Sequence, residues 1–172
     1  MRDNNKGLSY VELILVMAIM AILIGVISLS VGLVSRTNVT RGVEKLSSTF
    51  TQARTTSMAR GNTNGKLEIS YDGSSYYYYV GNLNSPDKEQ MKVEFLSSPA
   101  VVSYATEADP TTQIAITSTP LVITFNQSSG SIQQCSDGAG NVVSCGSITL
   151  TNGDKSATVK LYPSTGKCEV LY

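Results

Sequence analysis

The chain has 172 residues, 41% hydrophobic and 15% charged, a length that suits one globular domain with an accessory segment but not a second full domain. Thirteen basic and thirteen acidic residues cancel, which argues against a broad electrostatic surface for nucleic acid or an anionic membrane. Histidine is absent, which excludes histidine-based triads and most zinc or iron sites.

The first element along the chain is an apolar segment near the N-terminus. No polar side chain occurs from Leu13 to Ile27, and Glu12 carries the only charge between Leu8 and Val34. The segment meets the roughly 20 residues that a bilayer-spanning helix requires, and it exceeds the apolar core of about 7 to 15 residues in a cleaved secretory signal. An ordinary membrane anchor explains its length but gives no reason for Glu12, unless that carboxylate reaches the membrane interface.

A short polar leader, Met1 to Gly7, precedes this segment and carries net positive charge. It runs into Leu8-Ser9-Tyr10-Val11-Glu12-Leu13, and the whole resembles the type III signal of type IV prepilins, in which a basic leader ends in glycine and glutamate is the fifth mature residue. The resemblance implies cleavage between Gly7 and Leu8 by a prepilin peptidase and N-methylation of Leu8. It also implies an assembly role for Glu12, whose carboxylate would meet the N-terminal amine of a neighbouring subunit.

The sequence departs from the family pattern at two positions. Leu8 stands where the family usually has phenylalanine, which keeps the first mature position apolar. Leu29 stands where many pilins have a proline, so the helix lacks a proline kink. We expect processing in spite of the first difference.

The apolar segment continues into an amphipathic pattern. Apolar residues recur at alternating spacings of four and three, which predicts a helix as far as about Arg60, and Gly61-Asn62 provides a stop signal. The stripe consists of Val39, Val43, Leu46, Phe50 and Ala53. We therefore predict one long helix, with an apolar membrane or assembly half and an amphipathic half that packs on a globular domain.

The region after Gly61 reads as strands separated by turn dipeptides such as Asp72-Gly73 and Asn152-Gly153. We expect an antiparallel sheet, or two sheets, packed on the helix. The predicted strands are Lys66–Tyr71, Ser75–Val80, Lys92–Leu96, Val101–Ala105, Gln113–Thr117, Leu121–Phe125, Ser147–Leu150, Ala157–Tyr162 and Cys168–Leu171.

A run of tyrosines and three cysteines are the candidate functional residues of this region. Strand alternation would place Tyr76 and Tyr78 on one face and Tyr77 and Tyr79 on the other, so a strand with a partly aromatic surface is favoured over a ligand platform.

In an exported domain Cys135 and Cys145 could be disulfide-bonded, with Cys168 left free. Two alternatives stay open: a disulfide that includes Cys168, and three reduced thiols. A metal site is not expected, because the chain offers three thiols and no histidine.

Taken together, the residues predict a pilin-like α+β fold with a leader at 1–7, a transmembrane and assembly helix at 8–34, its amphipathic continuation at 35–61 and a β-rich head at 62–172. The helix end from Val43 to Gly61 and the final Thr165-Gly166 look similar to the minor pseudopilins GspH and FimT. The implied localisation is a single-pass membrane protein before assembly, followed by a cell-surface filament or the periplasm.

Two classes of function are weighed. The first is a non-enzymatic structural subunit of a type IV pilus or type II secretion-like filament, whose partners are other pilin subunits, the prepilin peptidase, the membrane and the assembly platform. The alternative is a tethered binding module for adhesion or DNA uptake, which lacks the basic patch that nucleic acid requires. No cofactor or small-molecule substrate is expected, because the acidic residues of the loops form no pair fixed by spacing for acid and base roles.

Overall fold

A computed structural model of the protein describes residues 10–137 and 140–172, with the side chains of residues 25–36 outside that description. Contacts divide the chain into two compact units, Met1–Ser35 and Arg36–Tyr172. The helix α1 runs from Tyr10 to Arg60 and has 51 residues. Its sequence contains no proline, and the charges at its ends, Glu12 in the first turn and Arg60 in the last, match the sign of the helix dipole.

The helix ends where the sequence predicts a stop. Gly61 adopts a positive φ of 92°, and its amide donates a hydrogen bond to the carbonyl of Ser57 at 2.9 Å. Glycine reaches this left-handed conformation without the steric penalty of a Cβ, and it therefore caps the last turn. The Ser57 hydroxyl also donates to the carbonyl of Phe125 at 2.9 Å, which fixes the helix end against a strand.

The second unit contains the predicted amphipathic part of α1, and its apolar stripe is buried as expected. Each of the five stripe residues is at most 3% exposed. Phe50 meets Phe125 edge to face, with ring centroids 6.3 Å apart. The sequence period therefore identified the face of the helix that packs on the head. The stripe is Val39, Val43, Leu46, Phe50 and Ala53.

The strands of the described chain form two antiparallel sheets. The first sheet has the order β3-β2-β1-β6-β7-β8 and the second β11-β10-β9-β4-β5. The strands are β1 Lys66–Tyr71, β2 Ser75–Gly81, β3 Val93–Ser97, β4 Val101–Thr106, β5 Ile114–Ala115, β6 Leu121–Phe125, β7 Ile132–Ser136, β8 Val142–Val143, β9 Cys145–Asn152, β10 Lys155–Tyr162 and β11 Lys167–Leu171. A short 3-10 helix, Lys88–Met91, precedes β3.

One core joins the helix stripe to the inner faces of both sheets. Its fully buried members include Leu67 and Ile123 from the first sheet and Ile148, Leu150 and Val159 from the second. On β9 and β10 these residues alternate with more exposed ones, as expected for strands with one face turned to a core. The second unit is therefore held together by a single apolar interior.

The predicted fold class, a pilin-like α+β fold with a long N-terminal helix whose first half crosses a membrane and whose second half packs on an antiparallel β-sheet domain, is wrong. Within the part of the chain that the structure describes, no helical stretch is both long and apolar enough to cross a membrane. The predicted single-pass membrane localisation is wrong on the same finding. Most of the described chain outside α1 forms the two antiparallel sheets.

The strand predictions are confirmed at some positions and wrong at others. Lys66–Tyr71 and Leu121–Phe125 are strands with the predicted bounds. The strand predicted at Gln113–Thr117 is reduced to Ile114–Ala115, with both residues exposed. The strand β7 was missed because its sequence, Ile-Gln-Gln-Cys-Ser, places two adjacent amides where alternation is expected. Pairing with β6 overrides that weak local preference.

Candidate functional site

The predicted processing residues Gly7 and Leu8 lie outside the described residues. The predicted assembly residue Glu12 is described, and it is exposed in the first turn of α1. A carboxylate at this position is favoured electrostatically by the positive end of the helix dipole.

The apolar side chains that follow Glu12 are exposed on every side of the helix. Met17 is 66% exposed, and the consecutive residues Ile22, Leu23 and Ile24 are 67%, 52% and 64% exposed. Three successive residues point in directions about 100° apart, so exposure of all three shows that no single face is covered. We call the segment from Tyr10 to Ile24 the apolar segment of α1. A helix that is apolar all round belongs in an apolar environment, because water penalises its whole circumference.

The tyrosine run does not form an exposed platform. Tyr76 and Tyr78 lie near Phe95, with ring centroids 6.5 and 6.0 Å away. On the opposite face Tyr79 is only 3% exposed, although alternation predicted that one face of the strand would be open. Tyr77 is half-buried. The run therefore serves mainly to pack both faces of β2.

The burial of Tyr79 has a cause that sequence reasoning missed. Its cross-strand neighbour Glu68 is 3% exposed, and the segment after β2 returns over this outer face of the first sheet. Lys88 Nζ lies 2.6 Å from Glu68 Oε2, and Lys92 Nζ lies 3.9 Å from Glu68 Oε1. Lys92 also pairs with Glu89 at 2.8 Å. The segment is thus attached to the sheet by a largely buried carboxylate between two lysines.

The structure brings two of the three cysteines together. Cys135 and Cys145 are 2% and 1% exposed, and both line the same depression in the surface. Interaction with the Cys145 side chain lowers the pKa of Cys135. Interaction with the Cys135 side chain, together with burial, raises the pKa of Cys145. Cys168 lies elsewhere, half-buried, with its sulfur 3.4 Å from the Ser47 hydroxyl of α1.

The acidic residues weighed for catalysis are engaged in turns. The backbone amides of Ser75 and Ser74 donate to Asp72 and lower its pKa to about 2. Hydrogen bonds from the Thr112 and Thr111 side chains and amides likewise lower the pKa of Asp109 to about 2. Carboxylates with such a low pKa are poor proton acceptors near neutral pH. In the described ranges, no three Cys, Asp or Glu side chains are grouped to hold a metal ion.

A cavity of about 670 Å³ lies on the outer side of the second sheet, beside β10. Its wall includes Glu107, Lys160 and Tyr162. Lys160 Nζ is 5.4 Å from the Tyr162 ring centroid, and the Tyr162 hydroxyl donates to Glu169 Oε2 at 2.7 Å. This hydrogen bond raises the pKa of Tyr162. Lys160 and the Tyr162 hydroxyl thus both have partners within the protein.

Two features therefore stand out chemically: the apolar segment of α1 and the buried thiol pair. Comparison with protein-family models, with curated proteins and with solved structures finds no match for this chain.

Proposed function

We propose that this protein is a structural subunit of a filament of the type IV pilus or type II secretion class, and that it assembles through its N-terminal helix. The observation that carries the proposal is the apolar segment of α1, whose side chains are exposed around the whole helix. Burying one large aliphatic side chain contributes about 1.5–3 kcal/mol. A segment with eleven such residues and one tyrosine therefore has a strong drive to pack against apolar partners. These residues are Tyr10, Val11, Leu13, Ile14, Leu15, Val16, Met17, Ile19, Met20, Ile22, Leu23 and Ile24.

The distribution of these residues favours many neighbours over one. A dimer needs a single apolar stripe on each helix, as in the narrow seam of a coiled coil. The segment from Tyr10 to Ile24 is instead apolar all round, so one partner helix would leave the far side exposed. Heterologous contacts with several copies of the same chain cover the whole circumference, and contacts of this type extend into open filaments. Other pilin subunits are therefore the proposed partners.

The leader and Glu12 support the same proposal from the sequence. Cleavage after Gly7 by a prepilin peptidase would create a new amine on Leu8, four residues before Glu12. The resemblance assigns this amine of one subunit to the Glu12 carboxylate of another. Within an apolar bundle an ion pair is strongly favoured over either charge alone, so it would set the register between subunits.

A minor subunit similar to GspH and FimT is the more specific proposal. The support is the order of elements: α1 ends at Arg60, just before Gly61, β1 follows, and Thr165-Gly166 precedes β11. Gly166 has a positive φ of 64°, which suits the tight turn at this point.

The first test of the proposal is processing. Intact mass is measured for the full chain co-expressed with a prepilin peptidase, in wild type, Gly7→Ala and Glu12→Ala. We expect wild type and Glu12→Ala to lose the first seven residues, and Gly7→Ala to keep them, because a Cβ obstructs close approach of the peptidase to the backbone. An uncleaved wild-type chain would contradict the proposal.

The second test is assembly, using methionines in two different places. Met17 in the apolar segment and Met91 at the end of the 3-10 helix are 66% and 51% exposed. We expect Met17→Asp to abolish co-assembly with a tagged wild-type copy, because burying an unpaired charge among apolar helices is costly. Met91→Asp should co-assemble like wild type. Equal co-assembly of the two variants, measured by cross-linking and pull-down after processing, would refute a role for this segment.

A further inference from the structure

We infer that Cys135 and Cys145 form a disulfide that staples the first sheet to the second, and that Cys168 stays a free thiol. The register of the strands brings Cys135 and Cys145 to the same part of the fold. Cys135 on β7 lies opposite Val143 on β8, and Cys145 follows two residues later at the start of β9. Only Ser144 separates Val143 from Cys145, so the register of β7 and β8 brings Cys145 close along the chain to the residue that pairs with Cys135.

The two strands belong to different sheets, and this gives the bond its structural consequence. β7 pairs with β6 in the first sheet, whereas Cys145 pairs with Thr106 on β4 in the second. The chain crosses between the sheets at Ser144. A covalent bond between Cys135 and Cys145 would therefore close a ring around the crossover and hold the two sheets together at one corner of the core.

Packing supports the pairing over its alternatives. Both cysteine side chains belong to the same buried apolar core. They also line a shared depression of about 310 Å³, together with Ile132, Val142 and Pro163. Cys168 instead contacts the Ser47 hydroxyl and carbonyl on α1. The alternatives that include Cys168, left open by spacing, are thus disfavoured by the fold.

The chemistry is thiol–disulfide exchange with an external disulfide as the oxidant. One cysteine thiolate attacks the oxidant, forms a mixed disulfide and releases one thiol of the oxidant. The second cysteine then attacks the mixed disulfide, forms the Cys135–Cys145 bond and releases the second thiol. The protein loses two electrons and two protons, and the oxidant is reduced to two thiols. Since both side chains are buried in the folded state, the reaction is expected during folding.

The test is refolding of the full chain, kept in solution by a mild detergent, with oxidised and reduced glutathione. Free thiols are then blocked by alkylation and the protein is digested with trypsin without reduction. Trypsin should yield a peptide spanning 93–155, which contains both Cys135 and Cys145, and a separate peptide spanning 168–172. We expect the first peptide to be unalkylated and lighter by two hydrogen atoms, and the second to be alkylated.

Alkylation of Cys135 and Cys145, or a link from either of them to Cys168, would overturn the inference. A Cys168→Ser variant removes the third thiol, and its oxidised form should melt about 5–10 °C above its reduced form, because the bond closes a loop of roughly ten residues. Equal melting temperatures of the oxidised and reduced forms would refute a disulfide that holds the two sheets together. Cys135→Ser in the same background serves as the control, and its melting temperature should not respond to the redox buffer. These outcomes are independent of leader cleavage and filament assembly.

Discussion

Replacing Phe50 with alanine should lower the free energy of unfolding of the second unit by about 3–5 kcal/mol. Phe50 is 1% exposed in the middle of the helix stripe, and its ring meets Phe125 edge to face. Alanine removes the whole ring and leaves a cavity between α1 and β6. The loss would come from packing, because alanine is the better helix former of the two residues.

Phe50→Leu is the matched control for this prediction. It keeps an apolar side chain of similar size, so its cost should stay below about 1.5 kcal/mol. Unfolding in urea can be followed by tyrosine fluorescence, since the chain has no tryptophan. A cost for Phe50→Ala as small as that for Phe50→Leu would show that the helix does not depend on this contact.

Replacing Lys88 with methionine should destabilise the protein by about 3 kcal/mol, because it leaves the Glu68 carboxylate buried without its nearest cation. The Glu68 side chain is only 4% exposed, and Lys88 Nζ lies 2.6 Å from it. Lys92 stays at 3.9 Å and offsets part of the loss. The same change should loosen the segment that covers Tyr79, which hydrogen exchange would detect as weaker protection of β2.

Two further variants make this prediction specific to the buried charge. Lys155→Met changes an exposed lysine at the start of β10, and it should alter stability by less than about 0.5 kcal/mol. Combining Glu68→Gln with Lys88→Met removes both charges, so the double variant should be more stable than Lys88→Met alone. If Lys88→Met lowered the free energy of unfolding no more than Lys155→Met does, the Lys88–Glu68 ion pair would not contribute to stability.

The proposed assembly and the proposed disulfide involve different parts of the chain. The apolar segment of α1 lies in the first unit, and the cysteine pair lies in the second. A processed chain that fails to co-assemble but carries the Cys135–Cys145 bond would separate the two proposals. The converse result, assembly without the bond, would do so as well.

Local patterns in the sequence determined much of the second unit. The spacing from Val39 to Ala53 identified the buried face of α1, and Gly61 marked its end, because helix period and helix termination depend on neighbouring residues. Strands with clear alternation were located for the same reason. The leader motif and the length of the apolar run led to a membrane span that the described residues do not contain.

Only the tertiary structure decided which strands share a sheet, what lies over each face and which thiols meet. The face of β2 that was predicted to be exposed carries the buried Tyr79, and beside it the Lys88–Glu68 pair joins residues 20 positions apart, a contact that no local period reports. Spacing left the cysteine pairing open, and the crossover at Ser144 places Cys135 beside Cys145 while Cys168 lies against α1. The physical reason is that periodicity shows which side of an element is apolar, whereas the chain's path through space determines the partner that covers it.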